Sequence, residues 1–234
     1  MKKLKFIQKL IQWIVLLFFG STIFFVCLYK WVPVNFTPLM GIRVVQQVTK
    51  GEKIRLKHHW VPLDSISIYM PVAVLASEDQ RFLTHHGFDF VEIANALEEH
   101  KNGKRRRGGS TISQQTAKNV FLWPNSSWLR KGLEAYFTIL IEFVWGKERI
   151  MEIYLNSIEM GDGIYGVEAT AQQHFGRSSL ELSRANCALI AATLPNPLVL
   201  NSQKPSPYLL KRQSAIMVQM RHIDVFPPKE NRQK

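Results

Sequence analysis

The chain has 234 residues, with 30 Lys and Arg against 18 Asp and Glu, which gives a formal net charge of +12. An apolar fraction of 46% and a charged fraction of 21% are typical of a globular domain and exclude a disordered chain or a coiled coil. Two cysteines, Cys27 and Cys187, are too few for a disulfide framework or a cysteine-based zinc site. The positive charge leaves anionic partners open, namely nucleic acid, phospholipid or a phosphorylated ligand.

An uncharged segment near the N-terminus predicts a membrane anchor at residues 10–30. No residue from Leu10 to Tyr29 is charged, and a helix of about 20 residues spans the roughly 30 Å of hydrocarbon in a bilayer. Four lysines precede the segment and only Lys30 follows it closely, so we expect residues 1–9 in the cytoplasm and the rest across the membrane. A cleaved signal peptide is the alternative, but its apolar region would be shorter and would end in small residues.

The next segment, residues 31–66, is predicted to be a connector that contains a short hairpin. Apolar residues, most of them β-branched, lie on either side of a Lys50-Gly51 turn, which suggests a small hairpin. The residues of this pattern are Val44, Val45, Val48, Ile54 and Leu56.

Helical patterns dominate residues 67–223, which predicts one mainly α domain. Two pairs resemble capping boxes at helix starts, Asp89 with Glu92 and Thr111 with Gln114. Further helices are predicted at residues 129–145, 147–155, 167–175, 183–194 and 207–223. Residues 224–234 are predicted to be a frayed tail.

A first candidate site is the acidic motif at residues 77–90. Glu78 and Asp79 follow an apolar helical stretch. Three phenylalanines come next, Phe82, Phe88 and Phe90. Burial beside apolar groups favours the neutral form of a carboxyl, which can then accept a proton near neutral pH. Taken alone, the motif fits an ordinary helix end with two solvated acids better, and His85 fits a structural hydrogen bond better than a metal ligand.

A second candidate is the basic segment at residues 101–119. Five positive charges fall within seven residues that end at Arg107, and two glycines then lead into a helix start. Free backbone N–H groups and the helix dipole favour an anion at that point. Thr111, Gln115 and Lys118 share one helix face, so Lys118 can add a cation to the same site. The alternative is a solvated basic loop.

A third candidate is the motif at residues 130–134. Arg130 and Lys131 lie four and three positions before Glu134, so all three can face one cleft from a helix. Taken alone, the motif also fits a surface ion pair, worth about a few tenths of a kcal/mol. Farther along the chain, Asn156 is the polar residue best placed to reach into a cleft.

Together these motifs resemble a known family. The chain contains, in the order found in the peptidoglycan glycosyltransferases (glycosyltransferase family 51), the motifs EDQRFLTHHG, RGGSTISQQTAKN, RKGLE, KERIMEIYLN and LIAATLPNP. The similarity covers residues 71–201, and the shared order makes it specific. Relatives with an added transpeptidase domain carry a serine followed by lysine at the third position. No serine here has that spacing, so we expect a monofunctional member without a transpeptidase domain.

The resemblance implies a fold, an activity and a location. The fold is a lysozyme-like helical lobe with a smaller jaw lobe near the membrane, preceded by one transmembrane helix. The activity is the polymerisation of lipid II into β-1,4-linked glycan strands, with release of undecaprenyl pyrophosphate. The location is the bacterial inner membrane, with the catalytic domain on the periplasmic or extracellular side.

The resemblance also implies roles for individual residues. Glu78 is the expected general base, and Arg130, Lys131 and Lys118 are expected to stabilise the leaving pyrophosphate. Glu134 is expected to orient these cations or to hold a divalent metal, Mg or Mn, and the sequence requires no cofactor. Further substrate-binding residues are expected to be Asp79, Arg81, Phe82, His85, Arg107, Gly109, Ser110, Thr111, Gln114, Gln115, Lys118, Asn119 and Asn156.

Partners and rival functions follow from the same features. Expected partners are lipid II, the lipid-linked glycan chain, the membrane and cell-wall synthesis or division proteins, but not nucleic acid. A membrane-anchored muramidase would share a lysozyme-like lobe, but it must protonate its leaving group and needs no cluster of cations. A non-catalytic protein that binds anionic lipid or nucleic acid would use the basic segment, although no aromatic residues interleave it for base stacking.

Overall fold

A computed structural model describes residues 2–101 and 109–227, and it confirms the mainly α fold. Three short strands accompany the helices: β1 (Lys57–His58), β2 (Glu159–Gly161) and β3 (Ile164–Tyr165). The helices are α1 (Lys2–Tyr29), α2 (Pro38–Thr49), α3 (Tyr69–Glu78), α4 (Phe90–Lys101), α5 (Ile112–Phe121), α6 (Trp128–Val144), α7 (Gly146–Ser157), α8 (Val167–Phe175), α9 (Arg184–Thr193) and α10 (Pro207–Gln219).

The N-terminal helix α1 has the length and composition of a membrane anchor. Its segment Lys3–Tyr29 is, in the described part of the chain, the one helix long and apolar enough to cross a membrane, and it is almost wholly exposed. Its C-terminal turns pack against the helical domain. The Thr22 hydroxyl bonds to the Tyr136 hydroxyl at 2.8 Å, and the Trp145 indole donates to the Val26 carbonyl at 2.6 Å. The anchor therefore contacts helix α6 directly, and it also contacts Trp145, the residue that follows α6.

The hairpin predicted in the connector is wrong, because its valines lie in helix α2: Val44, Val45 and Val48. Thr37 caps this helix by accepting a hydrogen bond from the Met40 amide, and Pro38 occupies its first turn. Both are strong helix-start signals. The three valines stand at positions i, i+1 and i+4, a spacing that fits one face of a helix. Strand structure begins only at Lys57–His58.

The small sheet lies beside helices α7 and α8 and has the strand order β1-β3-β2. Strand β1 pairs parallel with β3, and β2 pairs antiparallel with β3 through an irregular register between Glu159 and Gly161. The turn between β2 and β3 needs Gly163, which has φ of +71° and whose Cβ, if it had one, would clash with the Arg55 carbonyl.

The core places two helices that carry the candidate site residues side by side. Helix α3 is buried from Met70 to Ala76 and packs against α9, which in turn packs against α10. Helix α5 packs against both α6 and α7. The C-terminal end of α3 meets the first turns of α5, where Glu78 accepts a hydrogen bond from Gln115 and Asp79 accepts one from the Ile112 amide.

Candidate functional site

Glu78 is the last residue of helix α3, where the buried apolar helix reaches the surface of a cleft. Its side chain is 12% exposed. One carboxylate oxygen accepts a hydrogen bond from the Gln115 amide at 3.0 Å, and the other accepts from the Ser77 hydroxyl at 3.1 Å. Arg212 places a guanidinium nitrogen 3.9 Å from the carboxylate. The acid is thus held in place and faces the cleft.

The prediction that apolar side chains surround Glu78 is wrong. Its carboxylate contacts the Gln115 amide, the Ser77 hydroxyl and the Arg212 guanidinium. Phe82 is fully buried and packs against the Phe226 ring, with the Lys147 ammonium 4.5 Å from its ring centre. Phe88 and Phe90 stack on each other. Phe82 is therefore a core residue, and its predicted contact with substrate is not supported by its position.

Asp79 and His85 form a buried pair that supports the cleft. Both Asp79 carboxylate oxygens lie 3.0 Å from the Nε2 atom of His85, and one of them also accepts from the Ile112 amide at 3.0 Å. The Gly87 amide donates to the Nδ1 atom of His85, so Nε2 carries the hydrogen that Asp79 accepts. The pair ties the end of α3 to the start of α5. This arrangement matches the structural role expected for His85.

A third acid, Asp89, lies close to this pair, and the three side chains are near enough to share an ion. Their ligand atoms are engaged elsewhere, however. One Asp89 oxygen caps helix α4 by accepting from the Val91 and Glu92 amides, and the other lies 3.1 Å from the Arg81 guanidinium. The cluster is therefore explained by helix capping and ion pairing, and Arg81, which is half exposed, lies at the edge of the cleft.

The start of helix α5 is the capping box predicted from the sequence. The Thr111 hydroxyl accepts from the Gln114 amide, and the Gln114 side chain accepts from the Thr111 amide. Thr111 also donates to the Gly87 carbonyl at 2.7 Å. Gln114 is used for the cap, so its position does not support the predicted substrate contact. Gly109, Ser110 and Thr111 line the cleft at this point.

Gln115 links the acid to the body of the domain. Its amide nitrogen donates to Glu78, and its amide oxygen accepts from the Tyr154 hydroxyl at 3.1 Å. Burial raises the pKa of the Tyr154 hydroxyl well above its usual value, so it stays a donor. Asn119, one turn farther along α5, donates to the Gln115 carbonyl. This chain of bonds fixes the face of α5 that points towards Glu78.

The cations of helix α6 are gathered around one buried acid. Arg130 and Lys131 lie 2.6 Å and 2.5 Å from the two oxygens of Glu134, whose side chain is 4% exposed. Since cations occupy both of its oxygens, Glu134 fits the role of orienting them. The alternative role of Glu134, as a ligand of a divalent metal, stays a prediction. Lys131 is the more exposed of the two cations.

Lys118 is a half-buried cation on α5 that, among the described residues, lies within ion-pair distance of no carboxylate. Burial lowers the pKa of its ammonium. The negative charges of Glu134 and Glu159 raise this pKa, whereas the positive charges of Arg130 and Lys131 lower it further. Its charge is available for an anion from outside the protein.

One face of α5 therefore connects the acid to the cations. Gln115 bonds to Glu78, and Lys118 follows Gln115 by three positions, which puts it on the same helix face one turn away. Helix α6, which carries Arg130 and Lys131, packs against α5. The expected base therefore contacts α5 through Gln115, and the other expected cations lie on a helix that packs against α5.

A cleft of about 540 Å³ opens between α3, α4 and the start of α5. Glu78 lines it together with acids of α4, including Glu92 and Glu98. Lys118 and the cations of α6 are not among the residues that line this cleft. Lys118 lies farther along α5 than Gln115, the residue that bonds to Glu78. Arg107, which the sequence also suggested, lies outside the described residues.

The prediction that Asn156 reaches into a cleft is wrong. Its side chain is fully buried; its oxygen accepts from the Val61 amide at 2.9 Å, and its nitrogen donates to the Val61 carbonyl at 2.8 Å. A second carbonyl, that of Glu152, also accepts from it. Asn156 thus fixes the connector to α7.

Replacing Asn156 with Leu is expected to destabilise the domain by about 2–5 kcal/mol, because the backbone groups of Val61 would be buried without partners. Thermal unfolding monitored by circular dichroism measures this loss. An Asn156→Leu variant that unfolds at the wild-type temperature would contradict the structural role.

Arg212 of helix α10 is a site residue that sequence reasoning missed. It donates to the Ser77 hydroxyl at 3.2 Å, and Ser77 in turn donates to Glu78. Arg212 lies in an ordinary amphipathic helix far along the chain from Glu78, so no local spacing could identify it. Only the packing of α10 against α3 reveals the contact.

Comparisons with known proteins agree with the motifs. The family model described as "Transglycosylase" matches residues 44–221. A biosynthetic peptidoglycan transglycosylase of Bacteroides thetaiotaomicron is 58% identical over 97% of this chain and 92% of the relative. The protein with the same name from Bdellovibrio bacteriovorus is 54% identical over 90% of this chain and 85% of the relative. The one from Caulobacter vibrioides is 49% identical over 91% of this chain and 92% of the relative. By this extent of similarity, the chain belongs to the transglycosylase family.

Proposed function

We propose that this protein is a peptidoglycan glycosyltransferase that polymerises lipid II and releases undecaprenyl pyrophosphate. The observation that carries the proposal is that Gln115, which bonds to Glu78, and Lys118 lie on one face of α5, against which helix α6 with its cations packs. An acid, together with the three cations Lys118, Arg130 and Lys131 that share the one paired carboxylate of Glu134, suits a reaction with a hydroxyl nucleophile and an anionic leaving group. The names of the close relatives point to the same substrate.

In this proposal Glu78 is the general base. A sugar hydroxyl of the acceptor gives its proton to a Glu78 oxygen as the hydroxyl oxygen bonds to the anomeric carbon of the donor. The hydrogen bonds from Gln115 and Ser77 hold the carboxylate towards the cleft. Arg212 lies beside it, with a guanidinium nitrogen 3.9 Å from a Glu78 oxygen.

The cations stabilise the leaving group. As the bond between the anomeric carbon and the phosphate oxygen breaks, negative charge grows on the departing pyrophosphate, which needs cations rather than a proton donor. Lys118 and Lys131 are the groups with the most available charge, since Arg130 is buried against Glu134. Fixed cations in a partly desolvated site need little rearrangement during the reaction.

The lowered pKa of Lys118 sets an expected alkaline limit to activity. Turnover depends on the protonated ammonium, so activity should be full below that pKa and fall as the pH rises through it, below the usual lysine value of about 10.4. A Lys118→Arg variant should show its alkaline fall at higher pH, because a guanidinium stays protonated. Profiles of kcat/KM against pH measure the shift, and coincident alkaline limbs would contradict it.

The test of the proposed function is the purified full chain with labelled lipid II, followed by gel separation of the product. We expect a ladder of glycan polymer together with released lipid pyrophosphate. A muramidase would instead shorten preformed glycan and release no pyrophosphate. Anion binding without either product would support the non-catalytic alternative.

We also propose that α1 holds the catalytic domain at the outer surface of the cytoplasmic membrane, with the N-terminal lysines inside. The lysine excess before the apolar segment supports this orientation. The contacts of Thr22 and Val26 with the domain support a fixed placement of the cleft near the bilayer, where the lipid-linked substrate lies. Protease protection of the N-terminal segment in sealed vesicles tests the orientation.

A further inference from the structure

Tyr154 of helix α7 is a fully buried tyrosine that the proposed reaction does not use. Its hydroxyl donates to the amide oxygen of Gln115 at 3.1 Å. Within residues 2–101 and 109–227, Gln115 is the one hydrogen-bond partner of this hydroxyl. Helix α7 packs against α5, which carries Gln115, so the packing of the two helices brings these side chains together. A buried donor is thus aimed at a residue of the candidate site.

The Gln115 amide lies between this hydroxyl and the expected base. Its nitrogen donates to a Glu78 oxygen at 3.0 Å, while its oxygen faces Tyr154. A side-chain amide can turn over, which exchanges the places of its oxygen and its nitrogen. To act as a base, Glu78 must be ionised, and an ionised carboxylate can only accept hydrogen bonds. The orientation that serves the reaction is therefore the one that turns the amide nitrogen towards Glu78.

The Tyr154 hydroxyl stabilises that same orientation. In the reversed orientation the amide oxygen would face the Glu78 carboxylate, which puts two acceptors in contact. The amide nitrogen would then face Tyr154, whose hydroxyl would have to accept instead of donate. Its own hydrogen would be left buried without an acceptor among the described residues, which is unfavourable for a polar group. The hydroxyl therefore selects one of the two amide orientations.

We propose that Tyr154 is a positioning residue of the reaction, because its hydroxyl fixes the orientation of the Gln115 amide, which in turn holds the Glu78 carboxylate in place. Without the hydroxyl, the amide can turn over, and one Glu78 oxygen loses its donor. The other oxygen keeps its bond from Ser77, so the loss of positioning should be partial. The inference rests on the proposed role of Glu78 as the general base.

The first test is Tyr154→Phe in the full chain, with labelled lipid II as substrate. This change removes one oxygen atom and keeps the ring. It should lower kcat about 10-fold, as expected for the loss of one oriented hydrogen bond. Affinity for lipid II should stay within about threefold of the wild type, because Tyr154 touches no substrate. An unchanged kcat, or a loss of affinity that accounts for the whole effect, would overturn the inference.

Ser157→Ala is the matched control. The Ser157 hydroxyl is also fully buried on α7, but it donates to the Ile153 carbonyl at 2.7 Å and not to Gln115. Thermal unfolding of both variants measures how much stability each lost hydroxyl costs. We expect the wild-type kcat from Ser157→Ala. A loss of kcat equal to that of Tyr154→Phe would show a general effect of the altered core, and it would overturn the inference.

The decisive variant is the double substitution Tyr154→Phe with Gln115→Met. Methionine is close to glutamine in size but has no amide to orient. Because Tyr154 acts through that amide, the double variant should be no slower than Gln115→Met alone, a coupling that a double-mutant cycle measures. If Tyr154→Phe lowers kcat by the same factor in both backgrounds, the inference is overturned. A wild-type kcat in Gln115→Met would also overturn it, even if Tyr154→Phe did not fold.

A Glu78→Gln variant separates this inference from the proposed function. If Glu78→Gln polymerises lipid II at the wild-type rate, the assignment of the base itself is wrong. If Glu78→Gln loses the rate while Tyr154→Phe keeps it, the base stands and only the role of Tyr154 fails.

Discussion

Replacing Glu78 with Gln is expected to lower the rate of lipid II polymerisation by about 10²–10⁴-fold, the usual effect of removing a general base. Glutamine keeps the size of the side chain and can still bond to Gln115 and Ser77, so the cleft should keep its shape. What the variant loses is the ability to accept the proton of the acceptor hydroxyl. Initial rates with labelled lipid II measure the effect.

The matched control for this variant is Glu98→Gln. Glu98 is an exposed acid of α4 that lines the same cleft, but it lies on the wall opposite α3. Its replacement removes one negative charge from the cleft and should change the rate by less than about threefold, as expected for an exposed surface charge. Equal losses of polymerisation rate in the two variants would mean that the rate depends on the total charge of the cleft rather than on proton transfer to Glu78.

Replacing Lys118 with Met is expected to lower kcat by about 10²–10³-fold, in line with the loss of one fixed group that stabilises transition-state charge. Methionine fills the half-buried space but carries no charge, so the packing of α5 should persist. Because pyrophosphate charge grows as the bond breaks, kcat should fall more than the affinity for lipid II. Single-turnover rates and equilibrium binding separate the two quantities.

Lys204→Met is the control for Lys118→Met. Lys204 is an exposed lysine in the segment before α10, and its removal takes one positive charge from the surface of the same protein. We expect wild-type rates from this variant. A pure loss of affinity in Lys118→Met, with kcat unchanged, would contradict a role in stabilising the leaving group.

Local signals in the sequence were sufficient for most helices and for several contacts around the candidate site. The cap at Asp89 and the capping box at Thr111 occur as predicted, because such hydrogen bonds depend on residues only three positions apart. The spacing of Arg130 and Lys131 before Glu134 likewise predicts the ion pairs that the structure contains. Helical geometry alone determines these contacts.

The predictions that fail depend on contacts between distant parts of the chain. The sequence shows no hydrogen-bond partner for the Asn156 side chain, but the Val61 backbone in the connector accepts from it and donates to it. The valines of α2 precede a turn as the residues of a hairpin strand would, yet burial of Met40 and Gln47 stabilises a helix. Arg212 meets Ser77 only because α10 packs on α3. No pattern within a short window contains that information.

The central claim is that Glu78 takes part in proton transfer and not in holding the substrate. The most direct measurement is lipid II binding and single-turnover rate in the Glu78→Gln variant, determined on the same preparation. We expect affinity within about threefold of the wild type together with a rate reduced at least about 100-fold. A rate that stays near the wild-type value, or a loss of affinity that accounts for the whole loss of rate, would contradict the claim.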